Sequence, residues 1–263
     1  MSASPSITQH PPVGRPASPR QVVRSQARLE LRLMMSNGEQ ILLTMIIPVV
    51  LLLGLSLTSF VNVGGDTQAE RIDLVVPGVI ALAIMSSAFT AQAIATGFDR
   101  RSEAIKFLGT TPLSRTGLLT AKIAAVSVIQ VVQLIVLAGI GLLVGWRPEG
   151  PWPLALLYVI LGTAAFTALG LALAGVLRAE ITLAAANALY LLMLLAGGIV
   201  IPPSELPGPL AAVSSAFPSA GLADGLRLTL SGIGSDGVLA ALILLLWTGV
   251  GALLVRRTFR WTS

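Results

Sequence analysis

The sequence predicts an all-α integral membrane protein, and three observations point to this fold class. The chain of 263 residues is 54% hydrophobic and only 11% charged, whereas a soluble protein has about 25% charged residues. Six uncharged apolar runs come close to the length of about 20 residues with which a helix crosses a bilayer. The basic residues between these runs collect on one side of the predicted membrane.

The six predicted spans follow one another along most of the chain. They are residues 41–65, 74–98, 123–146, 154–177, 181–204 and the shorter run 237–255. A further uncharged run, 206–223, contains Pro207, Pro209 and Pro218 among scattered serines. Proline breaks helices, so we expect a re-entrant or short-helix segment here, between spans five and six. Six spans place both termini on the same side of the membrane.

The distribution of Lys and Arg predicts the orientation of the spans. With six spans, 14 of the 17 basic residues lie on the side of the N-terminal tail, and only Arg71, Arg147 and Arg227 lie on the other. Because positively charged loops remain in the cytoplasm, we expect both termini and the segment 97–122 to be cytoplasmic. Five or seven spans would break this separation.

The residues before the first span divide into a tail and a helix. Residues 1–19 contain five prolines among small polar residues, which predicts a disordered cytoplasmic tail. Residues 20–263 are then a single transmembrane domain.

An amphipathic pattern follows the tail. Its arginines recur every four residues, at Arg20, Arg24, Arg28 and Arg32. Val22, Leu29 and Leu33 fall on the opposite side of the same helix, which is typical of a helix lying on the membrane surface. A simple basic flank that orients the first span explains the arginines equally well.

Composition argues against several kinds of site. Cysteine is absent and the only histidine is His10 in the tail, so we expect no metal or haem ligand of either type. Lys106 and Lys122, the only lysines, follow Ile105 and Ala121, whereas a phosphate-binding loop requires glycine before lysine. The spans carry almost no ionisable residue of the kind that ion-driven carriers use. The basic charge matches membrane orientation, and we expect no nucleic-acid partner.

A polar and basic island, residues 97–122, separates the second and third spans. Within it, residues 102–108 can form a short helix, with Ile105 and Leu108 on one side and Glu103 and Lys106 beside them. Thr111 is predicted to be the N-cap of the next helix and Pro112 its first residue. An ordered bend of this kind between two membrane helices is suited to transmitting a force applied by a partner protein.

Uncharged polar residues also occur deep in the predicted spans. Ser127, Gln130 and Gln133 lie close to one face of the third span, and Asn187 lies in the fifth. They either line a path for an amphipathic substrate or hydrogen-bond between helices, where such bonds average about 0.6 kcal/mol. Interhelical bonding is the better explanation for any single residue, whereas the cluster in the third span fits both.

Three of these segments resemble a known family. The island, with Glu103, the run FLGTTPLSR at 107–115 and Lys122, resembles the first cytoplasmic loop of ATP-binding-cassette (ABC) type-2 exporter permeases of the daunorubicin-resistance type. The runs GGIVIPPSELPGPL at 197–210 and FPSAGLADGLR at 217–227 are similar to that family's region between the fifth and sixth spans.

The resemblance implies a permease subunit of an ATP-driven multidrug exporter in the plasma membrane of a bacterium. Such a subunit is not itself an enzyme and binds no cofactor, because ATP and Mg²⁺ bind a separately encoded ATPase subunit. Two ATPase copies and a second permease, identical or sibling, would complete the assembly. A six-span assembly or scaffold protein is the alternative from a different class, and a secondary transporter ranks third.

The resemblance also implies roles for particular residues, none of them catalytic. The coupling helix that contacts the ATPase would comprise Glu103, Ile105, Lys106 and Leu108, followed by Thr111 and Pro112. The candidate cavity residues are Ser127, Gln130, Gln133 and Asn187. An outer gate segment would contain Pro202, Pro203, Pro207 and Pro218.

Overall fold

The computed structural model describes residues 18–36, 38–58, 67–102, 111–199, 208–234 and 236–258. The helices within these residues are α1 (Pro19–Ser36), α2 (Gly38–Leu57), α3 (Gln68–Met85), α4 (Ala91–Arg101), α5 (Arg115–Val144), α6 (Ala155–Val176), α7 (Ala179–Ala196), α8 (Gly208–Ser215), α9 (Pro218–Ser231) and α10 (Gly237–Thr258). A π-helical turn, Ser86–Thr90, joins α3 to α4, and a 3-10 turn, Trp152–Leu154, leads into α6.

The helices confirm an all-α integral membrane protein. Five helical segments in the described part of the chain are long and apolar enough to cross a membrane: Gln68–Arg101, Arg115–Val144, Trp152–Val176, Ala179–Ala196 and Gly237–Arg257. They correspond to the second to sixth predicted spans. The first predicted span corresponds to a shorter apolar helix, Thr44–Leu57 within α2, so a sixth crossing stays a prediction.

The helix α3 lies at the centre of the bundle. Its residues from Val75 to Met85 are all buried, as expected for a helix that is apolar on every side. The helices α2, α5, α6 and α9 pack around it. Its start is fixed by a capping box, in which the Thr67 hydroxyl accepts from the Glu70 backbone N–H and the Glu70 carboxylate accepts from the Thr67 backbone N–H.

Small residues allow neighbouring helices to approach closely. A Cβ atom added at Gly251 of α10 would lie 2.8 Å from the Cβ atom of Ala168 in α6. A Cβ atom added at Gly170 of α6 would lie 2.8 Å from the carbonyl oxygen of Phe89 in the π-helical turn. These contacts lie within one chain, so these small residues serve intramolecular packing.

Two short helices, α8 and α9, connect α7 to α10, in agreement with the predicted short-helix segment. Pro218 is buried at the first position of α9, where its missing N–H costs no helical hydrogen bond. The helix α9 packs on α3, α6 and α10. The other prolines of the predicted outer gate, Pro202, Pro203 and Pro207, lie outside the described residues.

The start of α5 corrects one prediction. We expected Thr111 to be the N-cap and Pro112 the first helical residue, but α5 begins at Arg115 and Ser114 is its N-cap. The Ser114 Oγ accepts from the Gly117 backbone N–H at 3.0 Å, and the Ser114 backbone is extended. Leu113 is buried in a small apolar cluster, and this burial holds the preceding turn off the helix axis.

Candidate functional site

Charged side chains from four helices meet at one end of the bundle. We call this group the basic-end junction and define it by Glu30, Asp99, Arg100, Arg101, Lys122 and Glu180. We call the end of the bundle that carries it the basic end. The junction residues of α4 lie just before the segment 103–110 and Lys122 lies after it. That segment is outside the described residues and contains the predicted coupling residues Glu103, Ile105, Lys106 and Leu108.

Lys122 of α5 is the buried centre of the junction. Its Nζ atom lies 2.8 Å from Oε2 of Glu30 in α1 and 3.7 Å from Oδ2 of Asp99 in α4. The Lys122 and Glu30 side chains are only 2% and 8% exposed, and Gln26 donates to the second Glu30 oxygen at 2.9 Å. A buried charge requires such partners. The helix α1 is therefore held to α5 by its polar face.

The two residues after Asp99 contact two further helices. Arg100 donates to the carbonyl oxygen of Ala174 and, at 3.3 Å, to that of Leu177, at the C-terminal end of α6 where a cation is favourable. Arg101 pairs with Glu180 in the first turn of α7 at 2.5 Å. Three consecutive residues of α4 thus contact α5, α6 and α7, shortly before the segment 103–110.

A second polar group lies in the middle of the bundle, and we call it the polar core: Ser87, Gln130 and Thr163. Gln130 donates to the Ser87 Oγ at 3.1 Å and to the Ile84 carbonyl oxygen at 3.4 Å. The Thr163 hydroxyl donates to the Gln130 Oε1 at 2.5 Å. The polar core joins α5 and α6 to the π-helical turn and to the last turn of α3.

Comparison with known proteins matches residues 22–230 to the ABC-2 type transporter family. The chain belongs to this family. The match runs from α1 to α9 and includes both the basic-end junction and the polar core. A candidate transport permease of Bacillus subtilis (strain 168), YvfS, is 24% identical over 200 residues, which is 75% of this chain and 81% of that protein.

Membership of the ABC-2 family defines the broad role of the chain. Family members are membrane subunits that work with an ABC ATPase, so this chain is a transport subunit of the plasma membrane without an ATPase site of its own. Within the described residues no group of three or more acidic, histidine or cysteine side chains is arranged to hold a metal ion.

In this ABC-2 protein the four predicted cavity residues lie in different surroundings. Gln130 is buried in the polar core, and Gln133 donates to the Thr44 carbonyl oxygen of α2 at 3.1 Å. The half-buried Ser127 bonds to Ile123 within α5. Asn187 bonds to Leu183 within α7 at 3.0 Å and lies on an exposed face of that helix. Within the described residues, no side-chain hydrogen bond joins Asn187 to the residues of α5.

Arg227 has a structural role that the sequence analysis did not predict, because there it served only in the count of basic residues on the outer side of the membrane. Arg227 of α9 is 2% exposed and donates to the carbonyl oxygens of Gly198 and Ile199 at 2.7 and 2.6 Å. Asp224 lies 3.6 Å from it. Burial raises the pKa of the Asp224 carboxyl, and the neighbouring Arg227 opposes that rise. Arg227 thus fixes α9 to the chain that leaves α7.

Sequence reasoning also missed the acidic members of the junction. Glu30 is an acid within an otherwise basic amphipathic helix, and Asp99 ends an apolar run. Each is an acidic residue where its neighbours are basic or apolar, and this contrast could have marked both as candidates for a specific contact. Their pairing with Lys122 requires the tertiary structure, because Glu30 and Lys122 are 92 residues apart.

Proposed function

We propose that this chain is the permease subunit of an ATP-driven exporter that moves an amphipathic substrate, such as a drug or a lipid, out of a bacterial cell. It works as a homodimer or with a sibling permease, together with two copies of a separately encoded ATPase that binds ATP and Mg²⁺. Family membership supports the transport role. The basic-end junction supports the proposed route by which movement of the ATPase is transmitted to the membrane helices.

The junction supports this proposal because of its position in the chain. The segment 103–110 follows Arg101 after one residue and precedes Thr111 and Pro112 of the turn before α5. A force applied to this segment therefore acts on α4 at one end and on α5 at the other. We assign Glu103, Ile105, Lys106 and Leu108 as the coupling helix that contacts the ATPase.

The contacts of the junction then determine which helices respond. Asp99 and Lys122 connect the displacement to α1 and α5, Arg100 to the end of α6, and Arg101 to the start of α7. ATP-driven closure of the two ATPase copies displaces the coupling helix, and these helices repack together between two arrangements that open the transport path to opposite sides.

The transport path is proposed to run along the exposed face of α7, between two permease copies. Asn187 lies on this face with its amide bonded only to its own helix among the described contacts. An amide exposed to hydrocarbon is unfavourable, so a polar path or a partner helix must cover it. Gln130 and Gln133 would reach the path only after their interhelical bonds break, and the segment 202–218 would close its outer end.

The coupling role is tested by co-expressing the tagged permease with a candidate ABC ATPase from the same genome, purifying the complex and measuring ATP hydrolysis in proteoliposomes. Exchanging the charges, Glu103→Lys with Lys106→Glu, should lower co-purification and hydrolysis by about tenfold or more, because like charges at an interface cost several kcal/mol. The matched control exchanges Arg147→Glu with Glu149→Arg at the opposite end and should change neither. Unchanged binding and hydrolysis in the first variant would exclude the coupling role.

The same preparation separates the alternatives. A scaffold protein would show no substrate-stimulated hydrolysis with any candidate substrate. A secondary transporter would move substrate without ATP and stop when the ion gradient is removed.

A further inference from the structure

A cavity of about 390 Å³ lies between α6, α7 and α10, next to the turn that joins α8 to α9. Its lining includes Phe89, Leu173, Leu189, Leu192, Trp247 and Leu254, and the remaining lining residues are apolar as well. The one side-chain N–H of the lining, on Trp247, already donates to the Ala216 carbonyl oxygen at 2.9 Å. The side chains of the cavity therefore offer no free hydrogen-bonding group.

An apolar cavity of this kind selects hydrocarbon. Water does not fill an apolar cavity without polar partners. The helices that form the walls are membrane-span candidates, and hydrocarbon is the solvent of a membrane span. A water-sized group takes about 30 Å³, so the volume accommodates on the order of a dozen carbon atoms. A single acyl chain matches both the chemistry and the size.

Positive charge adjoins the basic end of the cavity. Leu177 and Leu254 line the cavity there. Arg178 directly follows Leu177, and Arg257 lies one helical turn beyond Leu254 on the same face of α10. Both arginines are exposed.

These two arginines remain available to a ligand. Neither forms an ion pair or side-chain hydrogen bond with another residue in the described part of the chain, and the nearest acid along the chain, Glu180, is paired with Arg101. A cationic rim at the membrane surface next to an apolar cavity complements a phosphate group that carries an acyl chain.

We propose that this cavity binds one acyl chain of an anionic phospholipid from the leaflet at the basic end, with the lipid phosphate against Arg178 and Arg257. This inference does not depend on the ATPase or on the transported substrate. It assigns the cavity to a phospholipid of the surrounding membrane.

Trp247 provides a direct probe, because bromine on an acyl chain quenches tryptophan fluorescence on contact. Trp247 is made the only tryptophan by Trp146→Phe, Trp152→Phe and Trp261→Phe, and the chain is placed in vesicles that contain brominated phosphatidylglycerol or brominated phosphatidylcholine. Phosphatidylglycerol should bind about 25-fold more tightly, which is about 1 kcal/mol for each of two arginines at 1.4 kcal/mol per tenfold.

Two variants and a control locate the site. Arg178→Gln with Arg257→Gln should remove the preference for phosphatidylglycerol, and Ala172→Phe, which fills the cavity, should reduce quenching by both lipids. Arg256→Gln is the matched control and should retain the preference, because Arg256 lies beside Arg257 on a different face of α10. Equal quenching by the two lipids, a preference that survives the double variant, or quenching unaffected by Ala172→Phe would each overturn the proposal.

A second measurement does not depend on replacing tryptophans. The natural chain, purified in mild detergent, should retain phosphatidylglycerol when analysed by native mass spectrometry, and the Arg178→Gln, Arg257→Gln variant should lose it. Retention of no lipid, or equal retention by both chains, would contradict a bound anionic phospholipid.

Discussion

Two ion pairs of the basic-end junction differ in burial and should differ in energy. Lys122 and Glu30 are almost fully buried, whereas Arg101 and Glu180 are 63% and 62% exposed. Removing one partner of a buried pair leaves an unpaired buried charge and costs about 3–5 kcal/mol, but an exposed pair contributes about 0.2–1 kcal/mol. We therefore expect Lys122→Met to lower the unfolding temperature strongly and Arg101→Gln to lower it slightly, in thermal unfolding measured in one detergent.

A double variant separates the charge from the packing in this prediction. Lys122→Met combined with Glu30→Leu removes both buried charges and should recover most of the stability lost by Lys122→Met alone. If the double variant is as unstable as the single one, the ion pair is not the reason for the loss.

Arg227 gives a second prediction at the level of single residues. Arg227→Met removes the donor to the carbonyl oxygens of Gly198 and Ile199, just after α7, and leaves Asp224 without its positive neighbour. Because bonds from a charged donor contribute about 1.5–3 kcal/mol each, we expect a loss of about 3 kcal/mol or more in the free energy of unfolding. Arg147→Gln, an exposed arginine at the same end, should change it by less than about 0.5 kcal/mol. If Arg227→Met and Arg147→Gln change the free energy of unfolding equally, the buried contacts of Arg227 do not stabilise the protein.

At the level of helix packing, α6 approaches the π-helical turn closely at Gly170. Gly170→Ala places a methyl group against the Phe89 carbonyl oxygen and should destabilise the protein by about 1–3 kcal/mol. Gly139→Ala in α5 meets nothing within 4 Å and should be neutral or stabilise by up to about 1 kcal/mol. The unfolding temperatures of the two variants check this, and a fall of the same size in both would contradict the close contact.

The helices also show which features a sequence can predict. The spans after the first were predictable because long uncharged runs leave no structure in hydrocarbon except the helix. The π-helical turn at Ser86 was not predicted from the local sequence, and its Ser87 side chain bonds to Gln130, which is 43 residues away. The start of α5 was misplaced because Thr111 with Pro112 and Ser114 both satisfy local capping rules, and the burial of Leu113 decides between them.

The amphipathic helix α1 illustrates the same limit. Its arginine repeat was visible in the sequence, and the helix is present at Pro19–Ser36. Its buried residues are Gln26 and Glu30, while Leu29 and Leu33 are about half exposed. The contact of Glu30 with Lys122 in the tertiary structure identifies the polar face of α1 as its buried face. A surface location for this helix stays a prediction.

For the whole molecule, the charge distribution and the family resemblance predicted the class of protein, and family membership confirmed it. The helices α5, α7 and α10 each carry large exposed apolar side chains along one face. In a membrane these faces contact lipid or a second permease.

The orientation of the whole molecule is directly measurable because the chain contains no cysteine. A cysteine at Glu149 should react with a membrane-impermeant maleimide added to intact cells. A cysteine at Arg20 should react only after the cells are opened. The reverse pattern would invert the positive-inside assignment and place the coupling segment outside.

The most direct measurement is photo-crosslinking in intact cells from the segment that is proposed to receive the ATPase. A photoreactive amino acid at Ile105 or Leu108 should capture a soluble ATPase with a phosphate-binding loop, identified by mass spectrometry of the adduct, and the same amino acid at Val238 on the opposite end should not. If neither Ile105 nor Leu108 yields an ATPase adduct, while both variants are present in the membrane at normal levels, work does not enter the membrane through this segment.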